Sequence, residues 1–332
     1  MSRSDGEVRV TGAGRGRLDL APVRRFWSGW FDRGPWPVED LYYGLLGRFV
    51  DRVVVEDPEA FAALRGRSIL YLGNHQTGVE SLLFSIVASA LSGVPTVTLA
   101  KAEHRGTWLG KLIRLCFDYP GVADPRVMTF FDREDKASLL RVVGELAAEM
   151  KGPGRSVMVH VEGTRSLSCR KPVEKMSGAF LDMALAVGAP VVPVRFLGGL
   201  PAEPLATRTE FPVGMGRQEI RLGRPLLPEE LAGLHYGARK ERVLAAINTL
   251  GVPNAVEVPL PGDPAFEARV RAWQEARGVS HEHATLHEVL AELPEPGEAV
   301  GRLLLAPDAG DLARDESPEG RWLAELGRRL LG

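Results

Sequence analysis

The sequence predicts an α/β protein: a mixed, largely parallel open sheet flanked by helices, with a helical N-terminal segment and a helical C-terminal extension. Three observations predict it. Short apolar segments of strand length recur at residues 68–72, 96–100, 127–131, 156–161 and 191–196. Segments of helical periodicity separate them, the alternation that lays helices on the faces of a sheet. Residues with acid-base or ionic chemistry follow the strands directly: His75 after the first, Asp132 and Arg133 after the third, Glu162, Gly163, Thr164 and Arg165 after the fourth. Ligands of open α/β sheets gather beyond the carboxyl ends of the strands.

In chain order, residues 1–20 are rich in Gly, Arg and Ser and are expected to be mobile. Arg24, Arg25, Phe26, Trp27, Trp30 and Phe31 then interleave bases with large aromatics. Two readings fit this composition: a helix burying its aromatics in the core, or a segment resting at a lipid interface. Leu41, Leu45, Phe49 and Val53 stand at near-helical spacing and predict an amphipathic helix over 40–54. Residues 81–91 read as a mostly apolar helix. Beyond Pro228 the texture turns helical, with helices expected over 229–250, 266–277, 281–293 and 319–331 and a proline-punctuated connector over 253–264. The organisation is a mobile 1–20, a main domain over 21–250 and a helical extension over 251–332. In the extension, only His283 and His287 of the trio with His281 share a helical face, so a solvated helix is expected there, not a metal site.

Charge and cysteine usage narrow the function. With 41 basic and 43 acidic residues the net charge is -2, so no global field favours nucleic acid, and charge arguments must be local. Two cysteines, Cys116 and Cys169, lack metal-binding spacing and suit free thiols in a reducing compartment. The start of the chain lacks the apolar core of a signal peptide, and the run 82–91 is about half of the ~20 residues a spanning helix needs. A cytoplasmic protein without a spanning anchor is expected.

The stretch Tyr71-Leu-Gly-Asn-His-Gln-Thr-Gly-Val-Glu-Ser81 places His75 and Glu80 five residues apart around Gly78. Residues at that spacing face apart on a continuous helix or strand, so they meet only across a bend, which the strand-to-helix junction supplies. Thr77 and Glu80 also fit a capping box, S/T-x-x-E, so this stretch by itself fits either a helix start or an acid-histidine dyad. Val161-Glu-Gly-Thr-Arg-Ser166 is the most specific signal: a strand end, a glycine for a sharp turn, and an arginine able to fork onto phosphate, with Arg170, Lys171 and Lys175 close behind.

Taken together these motifs resemble the glycerolphosphate acyltransferase family, which includes the lysophosphatidate and glycerol-3-phosphate acyltransferases. The resemblance covers roughly residues 66–200. Asn74 and His75 match the family's Asn-His-x4-Asp, with Glu80 where aspartate is usual. Phe130, Asp132 and Arg133 match Phe-Ile-Asp-Arg, with Phe131 for isoleucine. Glu162, Gly163, Thr164, Arg165 and Ser166 match Glu-Gly-Thr-Arg-Ser in full, residues 175–180 resemble the Lys-x-Gly-Ala-Phe element, and Val192-Pro193-Val194 matches the fourth motif. Extra residues between Asp118 and Met128 depart from the pattern and bear on the acceptor.

The resemblance implies a phospholipid-biosynthetic O-acyltransferase that takes a fatty acyl group from acyl-ACP or acyl-CoA as co-substrate, with no bound cofactor or metal. His75 is then the general base that activates a hydroxyl, and Glu80 orients its ring. Main-chain N–H groups near the bend are expected to support the oxyanion. Arg133 and Arg165 are expected to bind phosphate with help from Lys175. Glu162 is expected to order Arg165 or to touch the acceptor. Implied partners are an acyl donor such as an acyl carrier protein, a phosphate-bearing lipid acceptor and, reversibly, the cytoplasmic face of a membrane. Three other readings stand beside this one: release of carrier-bound chains onto a different acceptor in a specialised lipid or polyketide pathway, a non-catalytic lipid-binding protein, and a metal-dependent hydrolase using His75, Glu80, His160 and Glu162.

Overall fold

The computed structural model describes residues 18–31, 39–121, 126–132, 134–152, 154–294, 297–306 and 309–330. Seven strands make one sheet: β1 (Val50–Val55), β2 (Leu70–Gly73), β3 (Thr96–Lys101), β4 (Met128–Phe131), β5 (Ser156–His160), β6 (Val191–Leu197) and β7 (Gln218–Leu222). Their order is β1-β7-β6-β2-β5-β3-β4, and all neighbours are parallel except β6 with β7. The sheet is thus mixed, largely parallel and open, as the sequence predicts. β2 lies in its middle with all four residues buried, which is why it reads as an unbroken apolar run without alternation.

β1 and β7 depart from the sequence reading. The helix expected over 40–54 ends at Phe49, and Val50 to Val55 form an edge strand paired with β7. The four-residue spacing of apolar groups continues across the junction by coincidence, while the valine-rich sequence Val-Asp-Arg-Val-Val-Val favours a pleated strand. β7 escaped notice because Gln218 and Glu219 are polar yet buried. Glu219 is neutralised between Arg52 and Arg221, and Gln218 reaches the candidate site. The helix expected over 229–250 is two helices, Pro228–Ala232 and Tyr236–Asn248. His235 starts the second by accepting the Ala238 N–H on its ring nitrogen at 3.3 Å.

The aromatics of the helix Ala21–Phe31 serve the core. Trp27 is buried and donates its indole N–H to the carbonyl of Ile86 at 3.1 Å, with Phe26 and Phe31 packed against its ring. Arg24 lies over the Tyr43 ring and faces Asp40 at 3.5 Å. This corrects the interfacial reading for Trp27; Trp30 is the exposed aromatic of the segment. Among the described residues no helix is long and apolar enough to cross a membrane. The mobility expected of residues 1–20 falls almost wholly outside the described residues.

The C-terminal extension shares this core. The helix His281–Ala291 buries Ala284, Leu286, Val289 and Leu290 and packs on Glu39–Phe49. The solvated helix expected there is therefore half core, and Trp273 stacks on His287 with centroids 4.1 Å apart. Helix Pro318–Leu330 crosses Trp108–Phe117, where Trp322 donates to the Leu115 carbonyl at 2.7 Å. Helices Glu298–Leu305 and Ala309–Leu312, absent from the sequence reading, fill the interval.

Candidate active site

Parallel pairing brings the carboxyl ends of β2, β3, β4 and β5 to one edge of the sheet, and a cavity of about 960 Å³ opens there. Its wall is mostly apolar, with Leu72, Leu82, Leu99, Ile113, Met128 and Phe130 among the contributors, and His75, Lys101, Asp132, Glu162, Arg165 and Glu210 face it. An apolar pocket with a few convergent polar groups has the make-up of a ligand site.

The chain leaves β2 through Asn74, whose amide donates to the Phe196 carbonyl at 2.9 Å and whose Oδ1 accepts the Phe196 N–H at 2.7 Å. This side chain extends the β2–β6 pairing by one step and fixes where the bend begins. Both main-chain groups of His75 are tied to the loop after β5: its N–H donates to Glu162 Oε2 at 3.0 Å, and its carbonyl accepts the Ser166 N–H at 2.7 Å. Gly163 sits at φ +64°, in the left-handed region glycine adopts without steric cost, so it permits that sharp loop.

Across the bend, His75 Nδ1 lies 3.0 Å from Glu80 Oε2. Glu80 also accepts the Gln76 N–H at 2.9 Å, the Thr77 N–H at 2.9 Å and the side-chain amide of Gln218. With those donors around the carboxylate, Nδ1 carries the ring proton and Nε2 keeps its lone pair. The capping box forms only by half. Glu80 takes the Thr77 N–H as a box glutamate does, but the helix Glu80–Ser92 starts after Val79 without a side-chain cap, and the Thr77 hydroxyl is buried without a hydrogen bond.

Burial first, then Arg165, His104 and Lys101, hold the His75 pKa well below the ordinary imidazole range, so the ring is neutral at pH 7. Burial pushes Glu80 up, opposed first by the neighbouring His160 and then by the hydrogen bonds it accepts from Gln218, Gln76 and Thr77. Glu162 is raised to about 7, chiefly by burial.

The main-chain N–H groups of the bend are all engaged: His75 with Glu162, Gln76 and Thr77 with Glu80, Gly78 with the Thr209 carbonyl and Val79 with that of Glu210. They are not available to an oxyanion, contrary to the expectation above. Arg165 pairs with Glu210 at 2.5 Å and donates to the Thr209 carbonyl at 2.9 Å. Glu210 therefore takes the partnership expected of Glu162. Gly163 and Thr164 line the cavity, whereas Lys175 is exposed and stands outside its lining. Arg133 lies outside the described residues.

Sequence reasoning passed over Gln218, Glu210 and Lys101. The first two come from the β6–β7 connection and β7, which carry no motif; Lys101 ends β3 and signals itself only by its place at a strand's carboxyl end. His75, Glu80 and His160 each offer a donor atom within 4.8 Å of the others. A cation there would compete with the bonds Glu80 receives and with both ring bonds of His160, to the Asn74 carbonyl and the Ser81 hydroxyl. Glu80 and both nitrogens of His160 are thus engaged in hydrogen bonds, and within this trio His75 Nε2 is the atom that keeps a lone pair.

Residues 52–197, from β1 to the end of β6, match the Acyltransferase family model, so the chain carries an acyltransferase domain. The acyltransferase resemblance read from the motifs holds for that stretch. Among solved structures, the chain is similar to the 1-acyl-sn-glycerophosphate (LPA) acyltransferase PlsC from Thermotoga maritima, at 22% identity over 64% of this chain and 78% of that one, with a TM-score of 0.40. No curated protein matches the chain.

Proposed function

We propose that the chain transfers a fatty acyl group from an acyl thioester, acyl-ACP or acyl-CoA, to the hydroxyl of a glycerolphosphate-type lipid such as 1-acyl-glycerol-3-phosphate. The observation that carries this reading is the His75–Glu80 pair at 3.0 Å at the polar end of an apolar cavity. Glu80 holds Nδ1–H, and Nε2 takes the proton of the acceptor hydroxyl as the oxygen attacks the thioester carbonyl. The tetrahedral intermediate collapses, the C–S bond breaks, and the imidazolium returns its proton to the leaving thiolate. Glu80 stabilises the transient imidazolium.

Arg165, anchored through one nitrogen, presents the rest of its fork to a phosphate on acceptor or donor, and Lys101 and Arg208 line the same cavity. The main-chain N–H groups of Thr164 and Arg165, in the loop turned by Gly163, are the oxyanion donors that fit this reading. Membrane contact, if the acceptor is a lipid, is reversible and falls to exposed groups such as Trp30. No metal takes part in this scheme. The test is a thiol-release assay on a panel of acyl-CoA and acyl-ACP donors, with and without 1-acyl-glycerol-3-phosphate, on protein treated with chelator. Acceptor-dependent release that survives chelation supports the reading. Release onto a phosphate-free acceptor alone supports the specialised-pathway alternative, and no release from any donor favours a lipid-binding role.

A further inference from the structure

His160, the last residue of β5, has no part in the chemistry above, yet it is the ring that touches His75. The two imidazoles stack with centroids 3.8 Å apart and planes 17° from parallel. Behind His160, Phe196 lies at 5.5 Å and 39° and connects the stack to the aromatic core through Phe84. The tautomer of His160 follows from its partners. Nδ1 lies 2.7 Å from the Asn74 carbonyl, which can only accept, so Nδ1 donates. Nε2 is then an acceptor, and Ser81 Oγ, 3.1 Å away, donates to it. Both nitrogens are committed, and the ring cannot rotate without losing two buried hydrogen bonds.

We propose that His160 is a positioning residue for acyl transfer, a fixed neutral plate that sets the plane of His75 so that Nδ1–H meets Glu80 and Nε2 faces the cavity. The inference rests on the acyl-transfer reading of His75. Neutrality is built in. Burial, then the neighbouring His75, lowers His160 to about 3, while Glu80 and the Asn74 carbonyl oppose the shift only partly. A second cation against His75 would suppress the proton uptake that catalysis needs, and a neutral aromatic face does not. The groups facing His75 are Glu80, His160, Glu162, Arg165, His104 and Lys101. Only His160 covers the ring face within stacking distance among the described residues.

Two variants and one spectrum test the proposal. His160→Ala removes the plate: kcat is expected to fall about 10²-fold, the scale of an approximately 1 Å misplacement, with donor KM little changed. The acidic limb of the kcat profile should move to higher pH, because water entering beside His75 relieves the burial that depresses its pKa. His160→Phe keeps a flat ring and should retain most of kcat. A folded His160→Ala enzyme with wild-type kcat and an unmoved limb overturns the proposal, and so does a folded His160→Phe enzyme as slow as the alanine variant. Ring nitrogen-15 NMR of the wild type needs neither substrate nor variant. It should show both histidines as Nδ1–H tautomers, with His160 neutral across the range of about pH 5 to 8 in which free imidazole titrates. A His160 that titrates there overturns the proposal even if acyl transfer is confirmed. Absence of any turnover in wild type refutes the acyl-transfer reading, and the spectrum still decides the geometry. An acyl adduct on Ser81, detected by intact mass, would make His160 the base of a serine nucleophile and overturn the positioning role.

Discussion

Glu80 Oε2 meets His75 Nδ1 at 3.0 Å while Oε1 accepts the Thr77 N–H at 2.9 Å, so each carboxylate oxygen faces donors. Glutamine at position 80 cannot reproduce this, because its NH2 group must point at one set of donors whichever way it is turned. Glu80→Gln is therefore expected to lose most activity and about 1–3 kcal/mol of stability, the cost of an unsatisfied buried group. Glu80→Asp keeps the charge with a shorter reach and should retain part of the turnover. Parallel measurement of kcat and urea unfolding checks both; a fully active, fully stable glutamine variant removes Glu80 from the dyad and from the bend.

His75→Ala removes the proposed base and leaves the bend's other bonds in place, since those involve its main-chain groups. Turnover should fall by about two to four orders of magnitude with the fold intact by circular dichroism. Near-normal turnover would exclude a general-base role.

Five of the seven strands, the bend and the loops that follow β2, β4 and β5 could be read before any coordinates because each is marked locally. Apolar runs mark β2, β5 and β6, Gly163 marks a turn that requires left-handed backbone, and chemistry follows the strand ends. What could not be read depends on tertiary pairing. Gln218 and Glu210 look like ordinary surface polar residues until β7 folds back antiparallel on β6 and delivers them to Glu80 and Arg165. Trp27 was ambiguous for a similar reason, since an aromatic-basic helix has the same composition whether it lies on lipid or on the helix Glu80–Ser92. His160 was legible as a histidine beside a glutamate, but its stacking on His75 depends on the pairing of β2 with β5.

Acid should destabilise the protein through the buried imidazoles. The folded pKa of His160 is about 3 against 6.5 for the free side chain. Between those values the unfolded chain binds a proton that the native state excludes, so stability is present above pH 6.5 and is lost as pH falls through this window. His75, also depressed by burial, acts in the same direction. Thermal unfolding scanned from pH 8 to about pH 4 should show Tm falling below the imidazole range, with a shallower fall in His160→Phe. Equal slopes in the two proteins would show that His160 is not excluded from protonation in the folded state.

Arg165 and Glu210 should affect phosphate-bearing substrates selectively. Arg165→Ala should raise KM for the phosphate-bearing substrate, with lysine rescuing only partly because it lacks the planar fork. Glu210 holds one guanidinium nitrogen and, through its main chain, the Val79 N–H. Glu210→Gln weakens only the first of these, so it should raise the same KM less than Arg165→Ala does. Steady-state kinetics with donor and acceptor varied separately assigns the effect; an unchanged KM for every phosphate-bearing substrate in Arg165→Ala would exclude phosphate recognition by this arginine.

The buried pair Arg195–Glu257 joins β6 to the start of the C-terminal extension, and its loss should be felt in both. Arg195 is 1% exposed, donates to Glu257 at 2.8 Å, and directs its other terminal nitrogen to the carbonyls of Leu250 at 2.7 Å and Val252 at 2.6 Å. Glu257 accepts the Gly198 N–H at 2.9 Å, and burial raises its pKa against the opposing effect of that bond and of Arg195. Glu257→Ala leaves a guanidinium charge inside the protein with its carbonyl partners but without its counter-ion, a change expected to cost about 3–5 kcal/mol. The disturbance reaches the site through adjacent main-chain groups, because Glu257 holds the Gly198 N–H while Gln76 Oε1 accepts the Gly199 N–H at 3.3 Å, and the Gln76 N–H supports Glu80. Denaturant unfolding should therefore show a large loss, and kcat of the folded fraction a small one. If Glu257→Ala unfolds at the wild-type denaturant concentration, the pair contributes nothing to holding the extension on β6.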